Sequence, residues 1–84
     1  MAKIVRRVQT GVRIEEHTLK VLKALAEYLD LSLGDLLEGI VLHAFEDRSP
    51  FNDTTLRQIR KLKTVYGLTL TAGDSHLLNE EERR

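Results

Sequence analysis

Four residues at alternate positions near the start of the chain carry its clearest chemistry: Arg7, Gln9, Gly11 and Arg13. A guanidinium offers a planar fork of donors, and an amide sets a donor beside an acceptor. Both side chains therefore recognise paired hydrogen-bonding edges and anions. Lys3 and Arg6 add charge, and residues 1–13 hold no acid. The span 14–52 reverses the balance. It sets Lys20, Lys23 and Arg48 against Glu15, Glu16, Glu27, Asp30, Asp35, Glu38, Glu46 and Asp47. The chain as a whole is neutral, with 13 basic and 13 acidic residues. Neutrality argues against indiscriminate polyanion binding, whereas a basic arm on an acidic body suits contact with nucleic acid.

Covalent chemistry finds no comparable footing. No Ser/His/Asp arrangement, paired carboxylates or glycine-rich phosphate loop stands out, so no enzyme is expected. His17, His43 and His76 lie far apart and match no ligand spacing, so no metal or other cofactor is expected. The absence of cysteine excludes disulfides and thiolate-bound zinc. No apolar run is long enough for a bilayer, and no charged start leads into a long apolar stretch. The expected compartment is the cytoplasm, with no membrane partner.

The elements that would position the arm follow from periodicity. From Val5 the residues alternate, which predicts one β-strand. Arg6, Val8, Thr10, Val12 and Ile14 share a face that turns apolar toward its end and should meet a core. Arg7, Gln9, Gly11 and Arg13 face outward. Gly11 weakens a strand and suggests close approach by another surface. A lone strand leaves its N–H and C=O groups unpaired, so its partner should be a second copy of the chain.

Two amphipathic helices follow. Glu15–Leu29 places Leu19, Leu22, Leu25, Ala26 and Leu29 on one stripe, with no good side-chain cap before it. Asp30 can end this helix in a left-handed conformation. Ser32 is a strong N-cap for a second helix over about 33–46, with Leu33, Leu36, Leu37, Ile40, Val41, Ala44 and Phe45 as a broad apolar face. Gly39 inside that helix costs about 1 kcal/mol relative to Ala, which close helix–helix approach would offset.

Residues 47–52 form a linker in which Pro50 stops the second helix. A third helix runs from Asn52 as N-cap to near Tyr66, with Phe51 and Leu56 as a hydrophobic staple and Gly67 as its stop. Its basic residues Arg57, Arg60, Lys61 and Lys63 read as a solvated face. Leu68–Leu70 is extended, Thr71 and Asp74 cap one short turn through Leu78, and the tail 79–84 is disordered.

Strand, helix, tight turn and helix, with Arg13-Ile14-Glu15-Glu16 at the first joint and Leu31-Ser32-Leu33-Gly34-Asp35-Leu36-Leu37 at the second, resemble the ribbon-helix-helix family of MetJ/Arc-type DNA-binding proteins. The resemblance covers residues 5–46 and leaves 53–84 as a C-terminal helix and tail. It implies a mostly α fold with one N-terminal β-strand, in an intertwined homodimer whose two strands pair as an antiparallel sheet. That ribbon enters the major groove of double-stranded DNA. Base reading falls to Arg7, Gln9, Gly11 and Arg13. Phosphate binding falls to Ser32 and the backbone of Leu33 and Gly34, with Lys3 and Arg6 beside them. Val8, Thr10, Val12, Ile14, Leu22, Leu36, Gly39, Ile40 and Phe45 form the dimer core. Asp30, Glu15 and Gly11 depart from the family pattern.

The chemistry suits that target. Arginine pairs with guanine and glutamine with adenine in the major groove. A helix N-terminus attracts phosphate through free N–H groups and its dipole. The expected function is a dimeric, sequence-specific DNA-binding transcriptional regulator, a repressor. Two alternatives stand beside it. One is an antitoxin whose C-terminal segment covers a protein partner. The other is a dimeric protein-interaction module that binds no DNA.

Overall fold

A computed structural model of the chain describes residues 2–80. Three α-helices carry it: α1 (Glu16–Tyr28), α2 (Leu33–Phe45) and α3 (Asp53–Tyr66), followed by one 3-10 turn, Ala72–Asp74. There is no strand or sheet among the described residues. This overturns the expected β-strand and, with it, the intertwined ribbon. Residues 2–15 run without regular structure into α1. The physical reason is the one that made the strand conditional: with no neighbour to take its N–H and C=O groups, an alternating sequence has no ladder to join.

Each helix is bounded by side chains and backbone of its own. Ser32 accepts a hydrogen bond from the Asp35 N–H at 3.1 Å, and Asn52 accepts one from Thr55 N–H at 2.8 Å. The start of α1 differs from expectation, because Glu15 itself is the cap. Its carboxylate accepts from the backbone N–H groups of His17 and Thr18, each at 2.9 Å, and from the Thr18 hydroxyl at 2.8 Å. All three helices end through a left-handed residue: Asp30 (φ 58°), Asp47 (φ 54°) and Gly67 (φ 68°). At the end of α1, Leu31 N–H donates to Ala26 C=O and Asp30 N–H to Glu27 C=O, which satisfies two carbonyls the helix leaves open. Thr71 N–H donates to Asp74 at 2.8 Å, but the turn it caps stops at Asp74 rather than continuing to Leu78.

The core is small. Leu25 and Ala26 of α1 pack with Leu36 of α2, and Leu22, Leu29, Ile40, Phe51, Ile59 and Leu62 close around them. The backbone of α1 comes close to both α2 and α3, whereas the backbones of α2 and α3 do not approach each other. Of the expected core set, Leu36 is buried, Leu22 and Ile40 pack against the cluster, and Ile14 and Gly39 are half-buried. Val8, Thr10, Val12 and Phe45 are exposed, Val8 at 79% and Phe45 at 81%. The three arm residues lack the sheet that would have turned them inward. Phe45 lies on the side of α2 that faces neither α1 nor α3. Gly39 has no atom within 4 Å of where a Cβ would stand, so no close helix approach within the chain explains it. The tail expected to be disordered lies mostly outside the described residues, as does Met1. Among the described residues, no helix is long and apolar enough to cross a membrane.

The Glu15 cap generates a pH dependence. The backbone N–H of His17 is the largest of the hydrogen bonds that hold this carboxyl down to about 2, against an opposing effect of burial. Its folded pKa lies below its unfolded one, so its stabilisation is complete above the unfolded value and is lost as pH falls through the folded one. Glu15→Ala should lower stability by about 1 kcal/mol at neutral pH. The gap from the wild type should narrow as pH falls from about 5 toward about 2. Thermal melts across that range measure it, and a gap that stays constant would show that Glu15 does not act through its charge.

Candidate nucleic-acid interface

The arm is not free of the body. Arg7 reaches α2, where its Nε lies 3.2 Å from both carboxylate oxygens of Glu38 and its Nη2 donates to Glu38 at 2.9 Å and to Asp35 at 3.3 Å. Hydrogen bonding to Glu38 and the fields of Glu38 and Asp35 raise the Arg7 pKa, and the same hydrogen bond lowers that of Glu38. Water surrounds the pair, with the Arg7 side chain 62% exposed. An exposed ion pair of this kind is screened and tethers the arm only lightly. A phosphate oxyanion offers the same fork of donors an equivalent partner.

Arg7 therefore sits beside the first turns of α2, where the expected phosphate site also lies. The Ser32 hydroxyl is engaged as the cap. The N–H groups of Leu33 and Gly34 have no acceptor among the described residues, and Gly34 is exposed. These are the open donors that a helix N-terminus presents to an anion. Asp35 weakens the attraction through its own charge, and Arg7 beside it offsets part of that.

The remaining arm residues do not converge on that turn. Arg13 pairs with Glu80 in the C-terminal segment. Gln9, Lys3 and Arg6 are exposed and form no side-chain hydrogen bond or ion pair with a described residue. A Cβ at Gly11 would meet nothing within 4 Å, so the chain itself does not require glycine there. The structure thus brings one of the four expected base-reading residues to the α2 N-terminus, sets Arg13 against the C-terminal segment and leaves Gln9 and Gly11 along an open arm.

Sequence reasoning missed the acids that hold the arginines. Asp35 and Glu38 stand three apart on α2 and so share a face, a spacing that marks them as a joint acceptor for one guanidinium. Nothing local marked Glu80 as a partner of Arg13, because the contact joins the two ends of the chain. The histidines do not gather. His17 Nδ1 lies 2.7 Å from Glu15 and His43 Nδ1 lies 2.6 Å from the Gly39 carbonyl oxygen. Compared with known proteins, the chain matches no family profile, no curated relative and no solved structure.

If Arg7 is shared between Glu38 and a polyanion, removing the carboxylate charge should release it. Glu38→Gln should tighten binding to duplex DNA a few-fold at low salt, with the gain vanishing as salt screens both contacts. Its thermal stability should change little, as for other exposed pairs. Fluorescence anisotropy titrations at two salt concentrations test this; unchanged affinity at low salt would show that Arg7 takes no part in binding.

Proposed function

We propose that the chain is a dimeric, sequence-specific DNA-binding transcriptional regulator, a repressor acting in the cytoplasm. The observation that carries this reading is the position of Arg7: from the acid-free basic arm its guanidinium pairs with Asp35 and Glu38 of α2, the helix whose N-terminus carries the open N–H groups of Leu33 and Gly34. Arm and helix N-terminus together offer both kinds of donor that DNA recognition uses, side-chain forks and oriented backbone amides. In this reading the arm meets DNA as an extended basic segment. Gln9 and Arg13 supply base-edge hydrogen bonds, while Lys3, Arg6, Ser32, Leu33 and Gly34 hold phosphates.

The dimer is supported by surface that the chain leaves uncovered. It exposes 7816 Å², where a compact monomer of its 9.6 kDa mass would expose about 5,100 Å². The extended arm and the outer face of α2 are both exposed. Val41 and Leu42 flank Phe45 there, with Leu42 60% exposed. An apolar helix face of this kind fits burial against its own copy, since obligate interfaces remove roughly 1,000 Å² or more from each partner.

A second reading, a dimeric protein-interaction module, draws support from the acids. Arg7 and Arg13 are both engaged by carboxylates of the same chain, which leaves them less available to an outside anion.

One set of measurements separates the two. Selection from random duplexes followed by anisotropy should give saturable binding to a two-fold sequence that weakens steeply with salt. Arg13→Ala should cost about 1–3 kcal/mol on the selected site and little on unrelated duplexes. In sedimentation, Phe45→Asp should shift the dimer to monomer and weaken DNA binding with it. A stable dimer whose DNA affinity never leaves the non-specific range of about 10⁻⁴ to 10⁻⁶ M would favour the interaction module.

A further inference from the structure

Helix α3 carries a second, separate cationic surface. Leu56, Ile59 and Leu62 turn toward the body, with Ile59 and Leu62 packed on the core cluster. Arg57, Arg60 and Lys61 lie on the opposite face, all three exposed. At the helical repeat they fall within an arc of about 100° and within about 6 Å along the axis. Arg57 donates to the Thr54 hydroxyl at 3.3 Å, a bond that leaves its charge unneutralised. None of the three forms an ion pair with a described carboxylate, although both paired arm arginines do. The chain has 13 acids, and the acid in α3, Asp53, stands in its first turn, where the helix dipole accounts for it. Lys63 in the last turn is explained the same way. The ridge is not. Like charges three and four residues apart repel along a helix, so the arrangement opposes the fold and serves no contact inside it.

We infer that the Arg57–Arg60–Lys61 ridge binds the sugar–phosphate backbone of duplex DNA, as a sequence-independent contact outside the arm. This rests on the proposed DNA-binding function and adds to it a surface from the C-terminal helix. A strand of DNA presents a phosphate about every 3.4 Å of its axis, so a ridge of this length spans two successive phosphates. Two arginines and a lysine on a rigid, capped helix meet them with little ordering to be done. The ridge contributes affinity and salt dependence but no sequence preference.

The test uses the full chain and a short labelled duplex, with affinity followed between about 50 and 200 mM salt. The variant Arg57→Gln/Lys61→Gln should lower the slope of log affinity against log salt by roughly 1.8, about 0.9 for each phosphate no longer neutralised. At 0.1 M salt its affinity should fall on the order of tenfold or more, by the same relation. Its preference between selected and unrelated sequences should be unchanged. Arg57→Lys/Lys61→Arg should keep the wild-type slope, which separates removal of charge from failure to fold. A slope unaltered in the glutamine variant, while Arg6→Gln/Arg13→Gln still weakens binding, would overturn the ridge and leave the proposed function standing. A wild-type chain that binds no duplex would overturn both. Binding to phosphatidylserine-containing vesicles that the glutamine variant loses, with its duplex slope intact, would assign the ridge to an anionic membrane and overturn it as a DNA-binding surface.

Discussion

One face of α1 holds the whole molecule together. Leu22, Leu25, Ala26 and Leu29 take α2 through Leu36 and Ile40 and take α3 through Ile59 and Leu62. Because the backbones of α2 and α3 come close to α1 and not to each other, α1 is the spine. A core of this size removes little apolar area, which is the usual difficulty of a short chain. Ala26 matters here as much as the leucines do, since its small side chain lets the neighbouring helices share the same stretch of α1. The caps then contribute what the core does not: side chains satisfy the helix N-termini, and left-handed residues close the C-termini.

Holding α2 by a single edge has a consequence for its composition. The helix is apolar over most of its circumference, with Leu33, Leu36, Leu37, Ile40, Val41, Leu42, Ala44 and Phe45 among its 13 residues. A surface helix needs one apolar stripe, and a helix apolar on several sides is normally covered on several sides. Among the described residues Leu36 and Ile40 are covered by the core, while Val41, Leu42, Ala44 and Phe45 are exposed. The exposed side, with Val41, Leu42 and Phe45, is where the proposed dimer would close.

The helices were legible in the sequence because each is specified locally. Ser32, Asn52, Asp30, Gly67 and the leucine spacing each act within a few residues, and their outcomes match that local chemistry. Glu15 did not stand out as a cap, because glutamate seldom fills that role. The neighbouring Thr18, which donates both its N–H and its hydroxyl to it, was the available signal. The strand failed for a different reason. Alternation in residues 5–14 describes which side chains would share a face if the backbone were extended and paired, but it contains no information about a partner. Exposure of Val8 and Val12 (71% for the latter) follows directly from that missing partner. The site was legible in part: the arm's charge was evident, and the carboxylates that hold Arg7 and Arg13 lie far from them in sequence.

Pairing, rather than charge alone, decides which cations are available to a ligand. On composition the arm is the more basic surface, with no acid before Glu15 to dilute it. In the fold its two paired arginines face Asp35, Glu38 and Glu80. The third helix has an acid of its own and is less basic by net charge, yet Arg57, Arg60 and Lys61 are exposed and none pairs with a described carboxylate. A neutral chain can therefore present a cationic ridge, because the acids that pair or cap, such as Glu15, Asp35, Glu38 and Glu80, lie elsewhere. An incoming polyanion must displace a carboxylate to reach Arg7, whereas at α3 it relieves a repulsion already present. In the proposed function, that difference makes α3 an easier first contact for DNA than Arg7, and base reading would fall to the arm.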